Sequence, residues 1–158
     1  METTRHFVAT VYVVSDGAVA LHEHDKLGMW LPAGGHIDRD ELPHEAALRE
    51  TREELGLDVN LVAPEEAIES ETVRSIPQPQ HFLLEDINVD ASGAVGHQHI
   101  DFIFYGAAGS RDIDPGPGEQ PAEDWGWFTP EALRDDADRF PEDVVEVGQR
   151  AIATVEGR

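Results

Sequence analysis

Glu50, Glu53 and Glu54 stand at i, i+3 and i+4, so on a helix their three carboxylates share one turn of one face. Alone, such clustering is unfavourable: like charges four residues apart cost a helix about 0.2–0.5 kcal/mol per pair. A hard divalent cation reverses the sign, because Mg2+ and Mn2+ prefer carboxylate oxygens and leave further positions to water and phosphate. In a chain with 33 acidic residues among 158, a glutamate-rich face is by itself ordinary solvated surface. The neighbours decide between the two readings. Gly35, Glu41, Arg49 and Gly56 lie at fixed offsets from the trio, and composition alone would give these seven types at that spacing on the order of 10⁻⁵ times per chain.

The element that must position the trio is a helix over residues 42–55, which contains no glycine, opens near Pro43 and stops at Gly56. Ala47, Leu48, Thr51 and Leu55 fall on one face and should pack inward, while Ala46 lies one turn below the acids. Glu45, Arg49 and Arg52 form a salt-bridged flank. Leu42 is a poor N-cap, so Asp40 or Glu41 is expected to supply the missing acceptor. Just upstream, Gly34 and Gly35 let backbone N–H groups approach an anion beside a metal.

The segment from Gly35 to Leu57 resembles the signature of the Nudix hydrolase family. Its Trp127-Phe128-Thr129-Pro130-Glu131-Ala132-Leu133 stretch resembles the closing strand and helix of that family, and the looser likeness spans residues 7–133. The resemblance implies an α+β fold, a Nudix-type α/β/α sandwich with a mixed sheet, in one domain covering residues 1–158. It also implies a metal-dependent hydrolase that cleaves the pyrophosphate linkage of a nucleoside diphosphate joined to another group. ADP-ribose-like compounds, nucleoside triphosphates and dinucleoside polyphosphates all qualify as substrates. Carried over by position, Glu50, Glu53 and Glu54 become Mg2+ or Mn2+ ligands and, with Arg49, the catalytic set. Arg49 would orient a glutamate by charge-assisted hydrogen bonds, and Glu41 would support them. Gly34, Gly35, His36, His99 and Glu123 become substrate contacts. The general base is one of Glu53, Glu54, Glu119 or Glu123. Thr51 stands where the family has an aliphatic residue.

Two other readings share the fold. An isoprenoid diphosphate isomerase of this kind would use a catalytic cysteine, and the chain has none. A non-catalytic nucleotide-sensing domain would commonly lose box glutamates and carry a basic DNA-binding module, whereas this chain keeps the glutamates.

Composition narrows the setting. With 33 acids against 11 bases, the net charge of −22 repels nucleic-acid backbones and acidic membranes. Lys26 is the only lysine. This acid-rich, lysine-poor balance resembles proteins of salt-accumulating halophiles and predicts a fold strengthened by molar salt. The N-terminus shows no basic-plus-apolar leader and no apolar run reaches membrane length, so a cytoplasmic protein is expected. The partner is a small nucleotide derivative, and a homodimer is compatible with the reading.

Along the chain, residues 6–14 and 18–21 read as a hairpin about Asp16-Gly17, followed by a charged loop over 22–28 and a short strand at Trp30. Residues 57–62, 71–75, 81–89 and 98–105 read as strands, 106–121 as a long loop, 130–133 as a short helix capped by Thr129, and 141–155 as the last helix. His97, His99 and Asp101 alternate and therefore share a strand face, a pattern that fits a transition metal, a phosphate or ribose contact, or plain solvent-facing positions. The lack of cysteine and of two further histidines close in sequence argues against a structural zinc site. Trp30, Phe82, Tyr105, Trp125 and Trp127 are expected chiefly in the core, with a base-stacking platform among them as the alternative.

Overall fold

A computed structural model describes residues 2–24, 28–64 and 67–157. Its strands form one eight-stranded mixed sheet: β1 (Thr4–Ser15), β2 (Ala18–Glu23), β3 (Trp30–Leu31), β4 (Ala33–His36), β5 (Val59–Leu61), β6 (His81–Val89), β7 (Val95–Ala108) and β8 (Trp125–Phe128). The helices are α1 (Pro43–Leu55), α2 (Pro130–Asp135) and α3 (Glu142–Val155). The central pair, β1 and β7, runs parallel, with His6 opposite His99 and Tyr12 opposite Tyr105. Around it β4, β2, β5 and β6 pair antiparallel.

The apolar run at the start of the chain is explained by burial on both faces. From β1, Ala9, Val11 and Val13 pack toward α1, joined by Ala46, Ala47, Leu55 and Phe104. Tyr12 and Val14 point the other way, into a second core with Val144, Val147, Ala151 and Ile152 of α3. The result is the expected sandwich: α1 on one face of the sheet, α2 and α3 on the other. The hairpin turns through Asp16 and Gly17, both at positive φ, the backbone that a two-residue turn between twisted strands needs.

Three local expectations are corrected. Residues 71–75 form no strand; a single bridge, Glu69 to Arg74, is all that pairs there, and Val73 is exposed with no sheet face to cover. Gly106 lies inside β7 rather than opening a loop, and it is glycine there because a Cβ would crowd Val11 and Val59 at 3.1 Å; the long loop begins at Gly109. Gly34 and Gly35 are strand residues paired with Thr10 and Ala9. The strand expected over 57–62 is confined to Val59–Leu61. Of the charged loop expected over 22–28, residues 25–27 lie outside the described residues. Among the described residues, no helix is long and apolar enough to cross a membrane.

Candidate active site

The acid helix starts without a side-chain cap from Asp40 or Glu41. Leu42 is the N-cap residue and has no acceptor to offer. Its own N–H is instead accepted by Glu45 Oε1 at 2.8 Å, the reciprocal half of a capping box. Glu41 Oε1 accepts the Asp38 N–H at 3.0 Å, tightening the approach to the helix. Thr51, at the position where an aliphatic residue is expected, is fully buried and donates its hydroxyl to the Ala47 carbonyl at 2.8 Å. A polar group is thereby buried without loss. At the other end Gly56 takes φ 68°, and a side chain there would overlap the Asp114 carbonyl.

Arg49 is the hub rather than part of a flank. Its Nε and Nη2 donate to both oxygens of Glu41 at 2.7 and 2.9 Å, and Nη1 donates to Glu50 at 2.9 Å and Glu53 at 3.2 Å. Nη2 also donates to the His36 carbonyl at 3.1 Å. One planar fork therefore fixes two glutamates firmly, a third more loosely, and the end of β4. These bonds hold the Glu41 carboxyl below its ordinary pKa and push the Arg49 guanidinium above its own.

The acids are graded in environment. Glu53 has a side chain 47% exposed, whereas that of Glu50 is 14% exposed; the former faces outward and the latter lies against the sheet. Gly35 makes that possible, since a Cβ at this position would overlap the Glu50 carboxylate. Burial pushes Glu50 up, against the pull of Arg49. Glu54 lies deeper, its Oε2 accepting the Gly34 N–H at 3.4 Å. Burial first, then the charge of Glu50, pushes it up to about 9. Among the described ion pairs, Arg49 is the cation set against Glu41, Glu50 and Glu53, so with Glu54 the cluster carries excess negative charge. A proton must sit there unless a further cation does. Hard oxygen donors with uncompensated charge fit Mg2+ or Mn2+.

The loop over 109–121 closes the C-terminal end of α1: Asp114 N–H donates to the Leu55 carbonyl at 2.8 Å and Gly116 N–H to the Glu53 carbonyl at 2.7 Å. This brings Glu119 near enough for its charge to raise Glu54 further. Glu123 sits exposed in the 3-10 turn Ala122–Asp124.

His36 and His99, expected as substrate contacts, lie on the face of the sheet opposite the glutamates. Side chains alternate along a strand; Gly35 faces Glu50 on α1, so His36 points to the opposite face of the sheet. There it meets His6, with His6 Nδ1 and His36 Nε2 3.3 Å apart, and His99, its ring 5.3 Å away. Two further histidines close to His99, absent from its sequence neighbourhood, are supplied by other strands. His97 adjoins them, its ring 4.6 Å from that of His6. Asp101 shares the face but is buried beneath, its Oδ2 accepting the Thr10 hydroxyl at 2.8 Å. Burial, then neighbouring Glu85, pushes Asp101 up to about 9.

Of the aromatic residues, Tyr105 and Trp125 are buried, Trp30 and Trp127 half-buried, and Phe82 is exposed. Phe82 stacks obliquely on Phe102 at 4.9 Å, with exposed Phe7 on the other side of that ring at 6.1 Å. Only the strand register brings Phe7 and Phe102 together with Phe82. Beside them a cleft of about 300 Å³ is lined by Pro43, residues 74–79 and Phe102. It lies on the α1 face of the sheet, next to the start of the acid helix.

The fold agrees with that of known proteins. The NUDIX domain family model matches residues 4–147. Among solved structures, a Nudix-family hydrolase from Clostridium perfringens superposes with a TM-score of 0.80 at 31% identity, over 96% of this chain and 99% of that one. A mutator MutT protein from Bacillus halodurans gives 0.65 at 17% identity, over 93% and 82%. The dihydroneopterin triphosphate pyrophosphohydrolase of E. coli gives 0.62 at 16%, over 97% of each. A search of curated proteins finds no significant match. On the family match and the Clostridium likeness together, the chain belongs to the Nudix hydrolase family and is a Nudix pyrophosphohydrolase.

Proposed function

We propose that this enzyme hydrolyses the pyrophosphate linkage of an ADP-ribose-like compound or a nucleoside triphosphate, using Mg2+ or Mn2+ held by Glu50, Glu53 and Glu54. The observation that carries the reading is the graded acid cluster: partly buried carboxylates with too few cations, opening to solvent through Glu53. When bound, the divalent ion supplies charge neutralisation for the diphosphate and acidifies water. The protein's own part is positioning. Arg49 locks Glu41 and Glu50, Gly34 N–H orients Glu54, and Gly35 keeps the sheet from crowding Glu50. Glu119, the loop acid that faces Glu54, accepts the proton of the attacking water. The cleft beside Phe102, with Phe82 and Phe7 at its rim, receives the base or the second group by stacking. Glu123 lies on the outer wall of the same loop region and contacts the distal part of the substrate. The charge balance supports a cytoplasm of high salt as the working environment.

Hydrolysis is tested in molar KCl with Mg2+ or Mn2+ on ADP-ribose, dinucleoside polyphosphates and purine and pteridine triphosphates, following phosphate-bearing products. Turnover that needs the metal and fails in Glu53→Gln and Glu54→Gln supports the reading. Undiminished turnover in both variants sinks it.

A further inference from the structure

We propose that His6, His36 and His99 form a transition-metal site on the opposite face of the sheet from the acid cluster, taking a late first-row divalent ion such as Zn2+. Four of the chain's eight histidines gather in this one patch. One nitrogen from each of His6, His36 and His99 lies within 4.8 Å of the others. Tetrahedral Zn2+ with Zn–N bonds of about 2.0–2.1 Å needs ligand nitrogens about 3.3–3.4 Å apart. The His6 to His36 separation of 3.3 Å already matches that spacing. Closing the rest requires rotation of exposed rings, not movement of strands.

The three ligands come from three adjacent strands, β4, β1 and β7, paired as Val8 with His36 and His6 with His99. Strands hold ligands with smaller positional error than loops do. Imidazole suits Zn2+, Ni2+ or Cu2+ and disfavours Mg2+, which selects oxygen. The patch therefore discriminates against the metal that the carboxylates prefer. His97 stands beside the trio, its ring 5.2 Å from that of His99 and its Nδ1 2.8 Å from the Thr4 hydroxyl. Two of the three principal rings, those of His6 and His36, are exposed, leaving a way in for the ion. The His36 carbonyl accepts from Arg49, so an ion on the His36 ring pins the strand end that also supports the glutamates.

The test uses the full chain, free of any histidine tag and stripped by chelator, titrated with Zn2+ by calorimetry in excess Mg2+. Co2+ is added in parallel and followed by visible absorption. Expected are one Zn2+ per chain, not displaced by Mg2+, and a Co2+ spectrum of low-symmetry nitrogen coordination. His6→Gln, His36→Gln and His99→Gln should each weaken Zn2+ by about 100-fold or more, since even outer-shell losses cost about 10–100-fold. The double variant Glu53→Gln/Glu54→Gln should retain it. No tight Zn2+ in the parent chain, one ion per two chains, or binding lost with the glutamates and kept in the histidine variants would each overturn the site.

Discussion

The two faces of one short strand, β4, serve two different chemistries. Toward α1, Gly34 and Gly35 present bare backbone to Glu54 and Glu50; on the other side, His36 joins imidazoles from β1 and β7. The first cluster is hard, anionic and drawn mainly from 14 consecutive positions, Glu41 to Glu54. The second is softer and gathered across 94 positions, His6 to His99. The contrast teaches that a helix writes its site into local spacing, whereas a sheet assembles one from register that the linear order conceals.

The sharpest break in the comparison is at the carboxylates. Glu54→Gln and Glu53→Gln should lower kcat on the order of 10²- to 10⁴-fold and leave Zn2+ affinity on the far face unchanged. Glu119→Gln should lower kcat at the low end of that range with KM little altered, which steady-state kinetics would reveal. Loss confined to KM would remove Glu119 as the proton acceptor. Next is Arg49→Lys, which keeps the charge and loses the fork; activity should fall about 10–100-fold, as for outer-shell partners of metal ligands. Unchanged activity would mean that charge alone suffices.

Stability should respond less dramatically. Gly56→Ala forces a side chain into a left-handed backbone against Asp114 and should cost at least about 1–3 kcal/mol in urea unfolding. Asp101 makes stability depend on pH from the far face of the sheet, as Glu54 does from the α1 face. Its folded pKa is raised to about 9, so the folded chain binds this proton more tightly than the unfolded one. That contribution is complete below the unfolded carboxyl pKa and drains away as pH rises toward about 9. Asp101→Asn should therefore melt higher than the parent at pH 8 and close to it at pH 4. Molar KCl should raise the melting temperature of parent and variants alike, by screening a net charge of −22; equal values in millimolar and molar KCl would remove the halophile reading.

Helix α1, its stop at Gly56 and the mixed sandwich are all readable along the chain, because each depends on local periodicity or on residues at fixed offsets. Leu48 is the one α1 residue expected inward that is left half-buried, a small error of rotation. What could not be read shares a physical cause. Arg49 looked like a flank residue because helical projection ignores the reach of its long side chain back to Glu41. Gly35 sits in a strand, where glycine is uncommon, and the nearness of Glu50 explains it. Val73 and its neighbours have strand-forming types but no edge to pair with. His6 had no reason to be placed with His99 until β1 and β7 were known to run parallel.

That parallel pairing also orders events in time. Residues that make the carboxylate cradle leave the ribosome within the first third of the chain, and β4 needs only β1 to lie against. The imidazole patch must wait until β7 has emerged and closed a loop of some 93 residues, a slow and entropically costly step. A nascent chain paused before residue 97 thus holds most of its acidic machinery but only His6 and His36 of the far-side patch, so ion capture by all three histidines would mark the arrival of β7.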